Sequence, residues 1–130
     1  MARNLTTTLA LTLASAIGDS NTHQVDVSET LSMADEKAVV NTFNVGTSSA
    51  VDISLADITR ALVYVRNIET TGTHTVKIID HAGSIVLTIL KKQEWAVFPY
   101  TPSTSAGTAV LKAQAVGGAQ KIEYAIIEYA

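Results

Sequence analysis

Apolar and polar residues alternate with a period of two along nearly the whole chain, and that period restricts it to β-structure. Leu5, Leu9, Leu11 and Leu13 fall on one parity, with Thr6, Thr8, Ala10 and Thr12 on the other. Val25, Val27, Leu31 and Met33 repeat the pattern against Asp26, Ser28, Thr30 and Ser32. Side chains of a strand point alternately to opposite faces, whereas a helix repeats every 3.6 residues. A helix can be drawn through Ala34-Asp35-Glu36-Lys37, but the flanking alternation is the cleaner signal.

Turn residues divide this pattern into short strands. Gly18-Asp19-Ser20-Asn21, Gly46-Thr47-Ser48-Ser49 and Glu69-Thr70-Thr71-Gly72 read as turns or loops. Asp57-Ile58-Thr59 reads as a corner into Ala61 to Ile68, a strand apolar on both faces and therefore central or at a subunit contact. Asp80-His81-Ala82-Gly83 resembles a hairpin connection. Lys91-Lys92-Gln93-Glu94 turns into Trp95 to Phe98, and Thr101 to Thr108 is the longest loop. Gly117-Gly118 reads as a tight hairpin turn between Ala109–Val116 and Ile122–Tyr129. Nine to ten strands at this spacing predict an all-β fold, an antiparallel two-sheet sandwich of jelly-roll type, with a closed barrel second. Residues 1–130 read as a single β-sandwich domain, with 2–13 as an N-terminal arm or added strand.

Residue choice narrows the function classes. There is no cysteine, which removes disulfides and thiolate metal sites. The 9 basic residues lack the clustering that phosphate binding needs, and Glu94 follows Lys91-Lys92 at once, so nucleic acid is not an expected partner. The Leu9–Ala14 stretch is broken by threonine and reads as a strand, not a signal core. No apolar run approaches the roughly 18 residues of a membrane helix, so no membrane partner is expected. The chain is 47% apolar and only 16% charged. Threonine, serine and alanine must then cover much of its outside, which favours burial between subunits and a homo-oligomer.

A search for chemistry leaves little. His74 and His81 flank one hairpin with Asp80, but no dense His-x-His pattern supports a metal, and water-facing loop histidines, His23 included, are the simpler reading. No serine lies in a nucleophile elbow. Asp52, Asp57, Glu123 and Glu128 read as surface charge, and Gly117-Gly118 does not precede a helix as a phosphate loop does. The chain is therefore expected to be no enzyme and to need no cofactor. Leu5, Leu9, Leu11, Trp95, Phe98 and Tyr100 are the candidate interaction residues. Trp95 and Phe98 have opposite parity, so one of the two is expected in the core.

Arg60-Ala61-Leu62-Val63-Tyr64-Val65-Arg66-Asn67, Val76-Lys77-Ile78-Ile79-Asp80, Ile85-Val86-Leu87 and Leu90-Lys91-Lys92-Gln93-Glu94-Trp95-Ala96-Val97-Phe98-Pro99 together resemble small virion structural proteins of tailed phages. Those proteins often show a strand ending in Arg-Asn, a short hairpin, then Leu-x-Pro-Gly-Glu and an apolar strand. Here Glu94 and the apolar strand match, while Lys92-Gln93 stands where Pro-Gly would be. The stretch from Leu111 to Glu128 is similar to their final hairpin. The resemblance covers about the second half of the chain. It implies a β-sandwich on the capsid surface of a virion, made in the host cytoplasm. Its most concrete form is a capsid decoration, or cement, protein that bridges and stabilises capsid subunits, commonly as a trimer bound to the major capsid protein or other virion proteins. The alternative is a carbohydrate-binding or host-adhesion module of a tail or fibre. A small enzyme or ligand-binding barrel comes third, because the alternating Val, Ile and Leu suggest a filled interior.

Overall fold

A computed structural model describes residues 4–14, 22–32, 38–53, 60–80, 82–101 and 111–128. They form ten strands: β1 (Asn4–Ala14), β2 (Thr22–Ser32), β3 (Ala38–Val45), β4 (Val51–Ile53), β5 (Ala61–Asn67), β6 (Thr75–Ile79), β7 (Val86–Leu90), β8 (Trp95–Tyr100), β9 (Leu111–Val116) and β10 (Gln120–Glu128). No helix occurs among the described residues. β1 and β2 pair with each other as a separate antiparallel hairpin. The other eight make two four-stranded antiparallel sheets, ordered β3-β10-β5-β8 (the first sheet) and β4-β9-β6-β7 (the second).

The two sheets share one core, as the alternation predicts. The first contributes Val45, Ala61, Val63, Val65, Ile122, Tyr124 and Ile126, and the second Ile53, Val76, Ile78, Leu90, Leu111, Ala113 and Ala115. These are mostly β-branched or small residues, stiff at χ1 and suited to a pleated face. Each fully buried Val or Ile contributes about 1.5–3 kcal/mol relative to exposure. Phe43 meets Tyr124 edge to face at 5.6 Å between ring centres. The fold is therefore a β-sandwich, and the strand from Ala61 is an inner strand of its sheet, buried on its core face and half-buried on the other.

Two sequence expectations are corrected. Gly117-Gly118 is not a hairpin turn, because β9 lies in the second sheet and β10 in the first. It is a corner that carries the chain across the core. Gly117 has φ 90°, a left-handed conformation that favours glycine, and a Cβ there would displace the exposed His74 ring, whose Nδ1 would lie 2.5 Å away. Glu128 is not surface charge. It is buried on the same parity as Ile122, Tyr124 and Ile126. The other three carboxylates differ in setting. Asp52 is half-exposed and paired with Lys112 at 2.7 Å. Glu123 is half-buried, and Asp57 lies outside the described residues. So do the predicted turn at 18–21, the 34–37 stretch, the 57–59 corner and the loop beyond Thr101.

The β6–β7 connection is a hairpin held by its first residue. The amides of Ser84 and Ile85 donate to Asp80 Oδ1 at 2.6 and 2.7 Å. The Gly83 amide donates to the Asp80 carbonyl at 2.9 Å. The Ile85 amide, then those of Ser84, Ala82 and Gly83, hold the Asp80 carboxyl below its ordinary 3.8. A depressed folded-state value means the carboxylate's contribution is present above the unfolded value and is lost as pH falls through the folded one. Protection of the Ser84 and Ile85 amides, measured against their intrinsic exchange rates, is therefore expected to hold from neutral pH down to about 3.8 and to be lost only below it. Protection that fades between pH 6 and 5 would contradict this account.

Candidate interaction surface

On the outward face of the second sheet, Asp52 stands opposite Lys112, Gln114 opposite Lys77, and Thr75 opposite Val116. Exposed Ile89 of β7 stands opposite Lys77 on that face, which is polar across β4, β9 and β6 and apolar at its β7 edge. On the first sheet three rows run across all four strands. Val40, Ala125, Tyr64 and Val97 form the middle row, with Thr42, Glu123, Arg66 and Trp95 on one side and Ala38, Ile127, Leu62 and Pro99 on the other. Val40 is 73% exposed, Trp95 52% and Val97 40%. Leu62, Tyr64, Ala125 and Ile127 are half-buried among them. Exposed apolar side chains gathered on one face in this way mark a candidate interaction site. Exposed Ile89, in register with Lys77, lies on the outer face of the second sheet, with exposed Leu87 and Ile85 on and beside the same edge strand β7.

A polar cluster sits within this face. The Tyr64 hydroxyl donates to Glu123 Oε1 at 2.9 Å. Burial, followed by that bond, raises the phenol above its usual 10.0. Arg66 Nη2 donates to Gln93 Oε1 at 2.6 Å. Tyr64, Arg66, Gln93, Trp95 and Val97 line an open depression of about 360 Å³. A second depression of about 460 Å³, lined by His74, Lys91, Lys92 and Glu94 among others, lies at the Gly72–Thr75 loop.

The turn leading into β8 explains how that edge is fixed. Gln93 has φ 64°, a left-handed conformation that costs a non-glycine residue roughly 1 kcal/mol. It stands where the resembling proteins carry glycine, and its side chain offsets the cost. Gln93 Nε2 donates to the carbonyls of Ile68 and Glu69, each at 3.0 Å. Its amide donates to the Asn67 carbonyl at 2.8 Å, and the Asn67 amide to the Glu94 carbonyl at 2.9 Å. Glu94 Oε2 accepts from the Lys91 amide at 2.8 Å. The Arg-Asn end of β5 and the Gln-Glu turn are thus one clamp. Gln93→Ala keeps the unfavourable φ and loses the side-chain bonds, so it is expected to cost about 1–2 kcal/mol. Gln93→Gly relieves the φ and should cost about 1 kcal/mol less than alanine. Chemical denaturation of both variants checks the order, and a glycine variant weaker than alanine would overturn it.

The predicted interaction residues whose side chains are described lie on two faces of β8. Trp95 faces outward, while Phe98 and Tyr100 have the other parity and pack half-buried against the core. The opposite parity of Trp95 and Phe98 was legible in the sequence, and Phe98 is the core-facing member. Leu5, Leu9 and Leu11 lie in β1, opposite Leu31, Val27 and Val25 of β2. Their side chains, and those of His23 and His81, lie outside the described residues. Among the described residues no group of His, Asp or Glu is placed to hold a metal. Sequence reasoning missed Val40, Tyr64 and Val97, which come together only through non-local strand pairing. No protein-family model and no curated protein matches this chain.

Proposed function

We propose that the chain is a non-catalytic structural virion protein of a tailed phage, most concretely a capsid decoration protein. It acts as a homo-oligomer, a trimer in the simplest form, on the outer surface of the capsid. The observation that carries this reading is the group of exposed apolar side chains on the outer face of the first sheet, Val40, Trp95 and Val97. The strand pairing supports a jelly-roll architecture. β3 pairs with β10, β4 with β9, β5 with β8 and β6 with β7, so the eight strands are one long hairpin wound into two sheets. The resemblance of Arg60 to Pro99 to small virion proteins supports the same assignment.

The test is absolute mass by light scattering, followed by co-sedimentation with undecorated capsids. A closed oligomer that pellets with capsids is the expected result. A protein that stays in the supernatant with every capsid offered would count against decoration. A second reading, adhesion to a glycan, is favoured by one observation. Trp95 is exposed beside polar Arg66 and Gln93 at an open depression. Glycan-array binding lost on Trp95→Ala, with the fold intact, would select it.

A further inference from the structure

The β1–β2 hairpin is amphipathic by register. Leu5, Leu9, Leu11 and Leu13 share one face with Leu31, Val27, Val25 and His23, and the Thr7–Glu29 pair lies on that face too. The other face carries Asn4, Thr6, Thr8, Ala10 and Thr12 against Ser32, Thr30, Ser28, Asp26 and Gln24. A two-stranded ribbon is at best marginally stable alone and needs its apolar face covered. Among the described residues the hairpin's extended contacts are between its own two strands.

We propose that this hairpin is an exchange arm, its leucine–valine face lying on the outer face of the first sheet of a second copy of the chain. The inference rests on the proposed reading of the protein as self-associating, and names the surfaces that meet. Two observations carry it. The faces match in chemistry, the leucine–valine face of the arm against the exposed Val40, Trp95 and Val97 of the seat. They also match in size. Each arm strand has 11 residues, so the arm face measures roughly 35 by 10 Å, and the seat is four strands wide and about 30 Å long along β10. Covering one arm and its seat removes about 700 Å² from solvent, and a reciprocal exchange about 1,400 Å², within the standard range for stable complexes.

The chain has no cysteine, so a single introduced thiol is unique. A benzophenone attached at Leu9→Cys in the full chain, in a mixture of isotope-labelled and unlabelled copies, reports what the arm face touches. The expected product joins a labelled to an unlabelled chain, at peptides of β3, β5, β8 or β10. It is lost when the probe is moved to Thr8→Cys on the opposite face. Should the Leu9 variant misfold, Val97→Cys reports from the seat, and capture of peptides 4–14 or 22–32 from another copy is expected. Products confined to one chain, or joining hairpin to hairpin, would overturn the exchange. Light scattering on the unmodified chain separates the two levels. A monomer overturns self-association and exchange together, whereas an oligomer with hairpin-to-hairpin products overturns only the exchange.

Discussion

Asn67→Leu is expected to lower stability by about 3 kcal/mol, more than any surface change considered above. Asn67 is fully buried at the end of β5, where the two sheets meet the turn into β8. Its Nδ2 donates to Gln120 Oε1 at 3.1 Å and, at a longer 3.4 Å, to the Leu90 carbonyl. Its Oδ1 accepts from the Glu69 amide at 3.2 Å. Leucine has the same branched skeleton, with bulkier methyl groups, but leaves the buried Gln120 oxygen and the Glu69 amide without these partners. Each such loss costs about 1–3 kcal/mol, because the group was desolvated on folding and gains nothing in return. Asn67→Asp should be at least as costly, since it sets a carboxylate against two acceptors. Removing both partners, in Asn67→Leu with Gln120→Leu, should recover part of the loss, by about 1 kcal/mol relative to additivity. Denaturant melts of the four proteins give the cycle. An Asn67→Leu loss below about 1 kcal/mol would mean the network is incidental.

How far the sequence discloses this structure depends on whether the information is local. Parity is local, and it places Ile122, Tyr124 and Ile126 inward in β10. The same parity reaches Glu128, but the general habit of carboxylates to face water was given more weight than the alternation, and the residue is buried. Strand membership is not local. Two glycines between two apolar runs look alike whether the runs pair or pass to opposite sheets, so the 117–118 corner was read as a hairpin. The Arg66-Asn67 and Gln93-Glu94 pairs stood out in the resemblance without a physical role. Their role appears only when β5 and the turn into β8 are brought together. The candidate surface is the extreme case. Its middle row joins residues 40, 125, 64 and 97, and no window of sequence contains two of them.

That row is where a charge should do most harm to assembly and least to folding. Val40→Asp combined with Val97→Asp is expected to weaken self-association and capsid binding by at least about 100-fold, because burying an uncompensated carboxylate in an apolar contact costs several kcal/mol. Stability of the isolated chain should change by less than about 1 kcal/mol, since both positions are substantially exposed and at edge strands. Asp52→Ser, on the polar β4–β9 side of the second sheet, serves as the control. It removes one exposed ion pair, whose loss is worth about 0–1 kcal/mol, and it should leave assembly intact. The measurement is the concentration dependence of mass together with capsid co-sedimentation for all three proteins. If the doubly charged variant assembles like the parent, the outer face of the first sheet is a solvated surface and the contacts lie elsewhere. If Asp52→Ser is the variant that fails, the assignment of the two faces is reversed. If only the charged variant fails, with its denaturation curve unchanged, the apolar face is the assembly surface.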